Sequence, residues 1–280
     1  MSTSFVVSRD GTELVGESWP NNGPVITLLH AGVADRRSWI FLVPDFEKFA
    51  SVHAYDRRGF GESLTTNEPF THLEDLLAVL DHLHIASTWL VGSSAGGKLA
   101  LEAALEAPHR KDGVVLISPA VGGAPQTRDE DVDPETEEID GLITRADELG
   151  DNDEVNRLEV RLWLDGPREP EGRVSGAVRE LVIDMNATAL ANFVAENADN
   201  PVDAWSRLGE LLIPTTVACG NLDATHIIRR SEVVGARIRG ANCVFLEGVA
   251  HLPYLENPSP IGALIRDSIL RARPTRKIPD

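Results

Sequence analysis

Two cysteines in 280 residues, Cys219 and Cys243, are too few for a disulfide framework. Both fall in runs that read as strands, and a reduced, cytoplasmic setting is the corresponding expectation. Met1 to Gly11 lacks the cationic-then-apolar order of a secretory leader. No apolar run approaches the roughly 20 residues that span a bilayer. Positive charge is also short: 26 Lys and Arg stand against 44 Asp and Glu, a net charge of −18. That balance argues against nucleic acid and anionic membrane surfaces as partners. Metal-ligand spacing is missing as well. His82 and His84 sit two apart on a helical run and face different ways, and no other His/Cys cluster has ligand spacing.

What is present is ordinary for a globular chain: 42% hydrophobic and 25% charged residues. The length suits one large α/β domain, or one domain with an insertion. Phe5 to Val7 and Glu13 to Ser18 read as a hairpin joined through Asp10-Gly11. Val25 to Leu29 is a continuous apolar run, as expected of a strand buried on both faces. Trp39 to Ala50 has helical spacing, and Ser51 to Tyr55 reads as a strand. Asp56-Arg57-Arg58-Gly59-Phe60-Gly61-Glu62-Ser63 reads as a loop shaped by buried ion pairs. A phosphate cradle is its alternative, but the lysine and spacing of a P-loop are missing. Phe70 to Ile85 is an amphipathic helix with Leu73, Leu76, Leu77, Leu80 and Leu83 on one face. Gly113 to Ser118 is a further buried strand. Strand and helix patterns alternate from Val25 to this point, which implies a parallel sheet.

The alternation breaks at Ala120 and resumes near Pro214. Residues 120–212 read as a helical insertion, a cap placed before the penultimate strand; residues 1–119 and 213–280 form the core. The insertion opens on an acidic stretch, Asp129 to Asp140, read as solvated surface. Helical patterns follow around Asn156 to Leu164, Val178 to Met185 and Ala187 to Ala195. Gly166-Pro167 and Pro170 punctuate it. Trp163, Met185, Phe193 and Trp205 are candidates for an acyl pocket, or else plain core. Thr216 to Cys219 restarts the strand pattern, His226 to Arg239 is helical, Asn242 to Leu246 is the last strand, and Ser259 to Ala272 closes the chain. The tail Arg273 to Asp280 reads as loose.

Gly92-Ser93-Ser94-Ala95-Gly96 carries the chemistry. Thr88 to Val91 leads in as a strand and Lys98 to Ala107 leads out as a helix, so Gly-x-Ser-x-Gly marks a sharp turn that exposes one serine. Ser94, not Ser93, has glycines at both −2 and +2. A side chain at 92 or 96 would strike the backbone folding across the turn. The helix after Ser94 aims its first amides where an oxyanion would form. Ligands of open α/β sheets bind beyond the carboxyl ends of the strands. His30-Gly32, Asp56-Ser63, Ser94, Asp223 and His251 all follow such ends.

Together, Leu28-Leu29-His30-Ala31-Gly32, the loop Asp56 to Ser63, Gly92 to Gly97, Gly220-Asn221-Leu222-Asp223 and Ala250-His251-Leu252-Pro253 give the chain its likeness. It resembles the α/β-hydrolase fold enzymes of the capped type and is similar to their esterase and lactonase branch, which includes the 3-oxoadipate enol-lactonases. The resemblance runs from Val25 to about Ala272. It implies a mostly parallel central sheet with helices on both faces. It also implies the order nucleophile, acid, base: Ser94, Asp223, His251. Oxyanion donors would be the backbone N–H of Ala95 and one from the loop after His30, with Gly32 first and Val33 next. Asp56 and the acids of the insertion are rivals for Asp223, but Ser118 to Ala124 holds no Asp or Glu. His226 is the rival base, although it begins a helix. His30 is expected to hydrogen-bond within its loop.

The expected activity is that of a serine hydrolase on a small-molecule ester or lactone, through an acyl-enzyme and without metal or cofactor. A carbon–carbon bond hydrolase or an acyltransferase would use the same triad. A non-catalytic, ligand-binding member of the fold is the alternative outside enzymes. Natural substrate and oligomeric state are not written in the sequence.

Overall fold

Asp10 and Gly11, with φ of 47° and 76°, make the two-residue turn whose positive dihedrals suit the twist of a hairpin. They join β1 (Thr3–Arg9) to β2 (Thr12–Trp19) in antiparallel register, Val6 opposite Val15. The computed structural model describes residues 2–65, 69–127, 131–192 and 202–272. Over these residues the strands continue as β3 (Val25–Leu29), β4 (Ser51–Tyr55), β5 (Thr88–Ser93), β6 (Lys111–Ile117), β7 (Thr215–Gly220) and β8 (Asn242–Leu246). One sheet takes them in the order β1-β2-β4-β3-β5-β6-β7-β8. β2 is antiparallel to β4, and every later pairing is parallel.

The helices are α1 (Val43–Phe46), α2 (His72–His82), α3 (Ala95–Glu106), α4 (Pro134–Glu148), α5 (Asn152–Val160), α6 (Ala177–Ala191), α7 (Ala204–Arg207), α8 (Thr225–Arg237), α9 (Pro253–Glu256) and α10 (Pro258–Arg271). None is long and apolar enough to cross a membrane. The strand runs do not alternate in hydropathy because both faces of the sheet are covered. Leu28, Val115 and Ile117 pack with Phe46 of α1 and with Ile261 and Ile265 of α10. Their strand neighbours Leu29, Val114 and Leu116 face the other way, into a cluster with Leu80 of α2, Leu99 of α3 and Val234 of α8. Helices on both faces of a mostly parallel sheet are what the resemblance implied.

Two local expectations are corrected. A single helix over 39–50 does not form; a 3₁₀ turn at Arg36–Trp39 gives way to the one-turn α1. Pro44 stands in the first turn of α1, where it has no N–H to extend a helix from residue 39. The patterns around Val178 and Ala187 are one helix, α6, which runs unbroken through Asn186.

Between β6 and β7 the described residues hold α4 to α7 and no strand. From Pro134 onward the acidic stretch is the first part of α4, where Glu135, Glu137, Glu138 and Asp140 are exposed as expected and Asp133 just before it is buried; Glu135 and Glu137 are favourably placed in the first turn. Asp129 and Glu130 lie outside the described residues, as do Phe193 and the tail from Arg273.

Candidate active site

β5 ends at Ser93 and α3 starts at Ala95, so one residue, Ser94, makes the whole turn. Its φ of 51° and ψ of −114° are a conformation that costs a non-glycine residue about 1–3 kcal/mol. The surroundings enforce it. Ser94 N–H donates to Ile117 O at 2.9 Å, and Ser94 O accepts from Lys98 N–H and Ala120 N–H, both at 3.0 Å. The flanking glycines are needed for space. A Cβ on Gly92 would stand 2.2 Å from Gly96 O, and one on Gly96 would stand 2.1 Å from Leu29 O at the end of β3. Ser94 is half-buried at the turn, whereas Ser93 is fully buried in β5.

The loops that carry Asp223 and His251 leave neighbouring strands. Gly220 closes β7 so near the chain after β8 that a Cβ there would lie 2.2 Å from both Val249 O and Ala250 O. Asn221 N–H donates to Leu246 O at 2.9 Å and Leu222 N–H to Val249 O at 3.0 Å, lacing the two loops together. This brings His251 Nδ1 to 2.8 Å from Asp223 Oδ2. Asp223 is fully buried, and its Oδ1 accepts from Ala224 N–H at 2.8 Å. The rival acid Asp56 is instead held by Arg36, through its guanidinium and its N–H, and by Glu62 N–H at 2.9 Å. The rival base His226 has its Nδ1 buried and unpartnered, and its pKa is lowered chiefly by burial.

Ser94 and His251 share one cavity of about 990 Å³, which Gly32, Val33, Ala95 and Trp163 also line. A Cβ added to Gly32 would lie 4.0 Å from Ala95 Cβ, so the loop after β3 passes directly over the start of α3. His30 holds that loop. Its Nδ1–H donates to Ala31 O at 2.8 Å and its Nε2 accepts Arg57 N–H at 3.0 Å. The first contact was expected; the second ties the loop to residue 57 as well.

The segment from Asp56 to Ser63 is the ion-paired loop its composition suggested. Arg58 meets Asp75 through two hydrogen bonds of 3.0 and 2.8 Å, and both side chains are buried. Gly61, at φ 51°, has no room for a side chain against the Asp56 carboxylate. Burial raises the Asp56 pKa to about 6, although two backbone N–H groups and Arg36 work to lower it.

Of the aromatic and methionine candidates among the described residues, Trp163 alone reaches both the cavity and His251, its ring centred 4.6 Å from that of the histidine. It sits on a π-helical turn, Arg161–Asp165, that continues α5. Such turns recur at functional sites. Met185 is buried with Val160, Leu164 and Val182. Trp205 packs on the cluster beneath α3, with Arg237 5.0 Å over its ring. Residues that the sequence does not single out for this role also converge here. Asp133, Arg168, Arg173 and Glu256 all bond to the loops that carry Asp223 or His251. In the sequence, the Gly-Pro punctuation near 166 marks the segment of Arg168 and Arg173, and Asp133 belongs to the acidic stretch.

A family model described as the α/β hydrolase fold matches residues 24–258. The pimeloyl-(acyl-carrier protein) methyl ester esterase of Neisseria meningitidis serogroup B is 26% identical over 264 residues, covering 90% of this chain and 95% of that protein. The 3-oxoadipate enol-lactonase 1 of Acinetobacter baylyi is 25% identical over 260 residues, 91% of this chain and 92% of its own. Among solved structures, a thermophilic esterase from Thermogutta terrifontis matches with a TM-score of 0.78 at 22% identity. That match covers 97% of this chain and all of the esterase.

Proposed function

This chain belongs to the α/β-hydrolase fold family, and on that premise we propose that it hydrolyses a carboxylic ester or lactone through an acyl-enzyme on Ser94. One observation carries the reading: His251, held to the buried Asp223 carboxylate at 2.8 Å, lines the same cavity as Ser94. The esterase and enol-lactonase activities of similar proteins agree with it.

His251 is the base. With Nδ1–H donated to Asp223, its Nε2 takes the proton from Ser94 Oγ as that oxygen bonds to the substrate carbonyl carbon. Asp223 fixes this tautomer and stabilises the imidazolium without itself becoming protonated. The carbonyl oxygen becomes an oxyanion beside the N–H groups of Ala95 and Gly32, the two oxyanion donors of this reading. Ala95 N–H, in the first turn of α3, has no intrahelical acceptor, and each donor is worth roughly 3 kcal/mol of barrier. Collapse breaks the carbon–oxygen bond of the ester, and the leaving alkoxide takes the proton from His251. Water then attacks the acyl-enzyme, giving its proton to His251, and Ser94 leaves with that proton restored. The helical insertion, residues 120–212, serves as a cap that sets substrate size and excludes bulk water.

A fluorophosphonate probe tests the assignment. The expected result is one covalent adduct on Ser94, read by peptide mass spectrometry. A folded protein that acquires no adduct there overturns the proposal.

A further inference from the structure

The segment of the insertion that follows the π-helical turn enters the space between the acid and base loops. Gly166, at φ 92°, lies so close to both that a Cβ there would sit 2.5 Å from Leu222 O and 3.3 Å from Ala250 Cβ. Two arginines flank this wedge. Arg168 donates through Nη2 to Asp223 O at 2.6 Å and through Nη1 to Thr225 Oγ1 at 2.9 Å, while pairing with Asp133. Asp133 accepts Thr225 N–H at 2.8 Å, so it holds the same loop from the other side.

Arg173 does the equivalent for the base. Its Nε and Nη2 donate to Asp165 O at 2.6 Å and Leu164 O at 2.8 Å, securing the turn that presses Trp163 toward His251. Nη1 reaches Gly248 O at 3.2 Å, where the base loop begins. Nη2 also pairs with Glu256, a buried carboxylate that accepts Ala250 N–H at 2.9 Å, one residue before His251. The segment itself is stiff. Buried Asp165 accepts Gly172 N–H at 2.8 Å, Val174 N–H at 3.0 Å and an N–H of Arg179 at 2.8 Å.

We propose that Arg173 and Arg168 are positioning residues for catalysis. Through Glu256 and Asp133, they brace the loops bearing His251 and Asp223, so the insertion sets the geometry of the dyad as well as roofing the cavity. This rests on the proposed function, in which that dyad activates Ser94. Neither arginine touches the reacting atoms. Their effect is on alignment, where a displacement of about 1 Å costs on the order of 10²-fold in rate.

The experiment compares Arg173→Ala, Arg168→Ala, Glu256→Gln and Arg173→Lys with the unaltered protein. Active sites are counted by fluorophosphonate titration, and kcat per titrated site and KM are measured on a p-nitrophenyl ester. The expected loss of kcat per site is about 30- to 100-fold for Arg173→Ala and about tenfold for Arg168→Ala and Glu256→Gln. KM stays within about threefold, and Arg173→Lys, which keeps the charge beside Glu256, recovers part of the loss. Arg157→Ala is the control, because the Arg157 pairs with Glu154 and Glu171 stay within the insertion. A merely structural staple lowers the number of titratable sites and the melting temperature while leaving kcat per site unchanged. That pattern, in whichever of the variants fold, overturns the positioning role and leaves the proposed function standing. No Ser94 adduct in the unaltered protein overturns both.

Discussion

The loops after β3 and β8 each carry a buried histidine beyond the carboxyl ends of the parallel strands, yet their hydrogen bonds give the two rings different partners. His30 has both nitrogens engaged by backbone, Nδ1 with Ala31 O and Nε2 with Arg57 N–H. That pattern fits one neutral tautomer, and burial, reinforced by Arg57, holds its pKa well below the ordinary 6.5. His251 has Nδ1 engaged by a carboxylate instead, and its ring borders the cavity. A carboxylate partner stabilises an imidazolium, while a donated N–H opposes one. Residue type and position at a strand end are therefore not enough to identify a base. The second atom of each hydrogen bond decides.

The largest effect is expected at Asp223. Asp223→Asn replaces the acceptor with an amide and permits the wrong tautomer, so kcat on a p-nitrophenyl ester should fall by about 10⁴-fold. Retained turnover would put the acid elsewhere. His251→Gln should be comparably inactive while still folding, which circular dichroism checks. At the other loop the effect belongs to stability. His30→Gln loses hydrogen bonds that join two loops, and denaturant unfolding should show a loss of about 1–3 kcal/mol. Turnover per folded molecule should fall less than about tenfold; a loss as large as that of His251→Gln would erase the distinction.

A graded effect is expected in the pH dependence of stability. Below pH 6.5 the unfolded chain protonates at His30 while the folded ring stays neutral. The unfolded state then binds more protons, and stability falls as pH falls, by up to roughly 1.4 kcal/mol per pH unit. His53, which burial lowers to about 4, adds a slope of the same sign between 6.5 and 4. Asp56, raised to about 6, acts in the opposite sense between 6 and its ordinary value, since the folded state keeps a proton the unfolded chain releases. Subtracting the His30→Gln curve from that of the unaltered protein isolates His30. The difference should grow from acid pH toward 6.5 and then level off, as measured by urea unfolding across that range.

Much of this site was legible because its constraints are local. Ser94 announces itself through Gly92 and Gly96, which the tight turn requires on either side of it. Asp223 and His251 each follow a short apolar run closed by a glycine-containing turn. The parallel sheet was legible for the same reason, since strands covered on both faces read as unbroken apolar runs. The expected helix over 39–50 failed because Pro44 outweighed the apolar spacing. The brace around the dyad was not legible. Arg168 lies 55 residues from Asp223, and Arg173 lies 83 residues from Glu256. An arginine between Gly-Pro and Pro-Glu-Gly looks like any solvated loop charge until its partners arrive.

The sequence by itself determined the strand order of events: a buried strand, a strained serine, a helix amide, then an acid and a histidine at later strand ends. Backbone dihedrals and hydropathy are short-range properties, and they write such features in place. Only the tertiary structure decided which histidine keeps a carboxylate partner, which acid supplies it, and how the segment between β6 and β7 grips both loops. Those outcomes depend on atoms brought within hydrogen-bond distance from positions far apart in the chain, and burial makes their pairing compulsory.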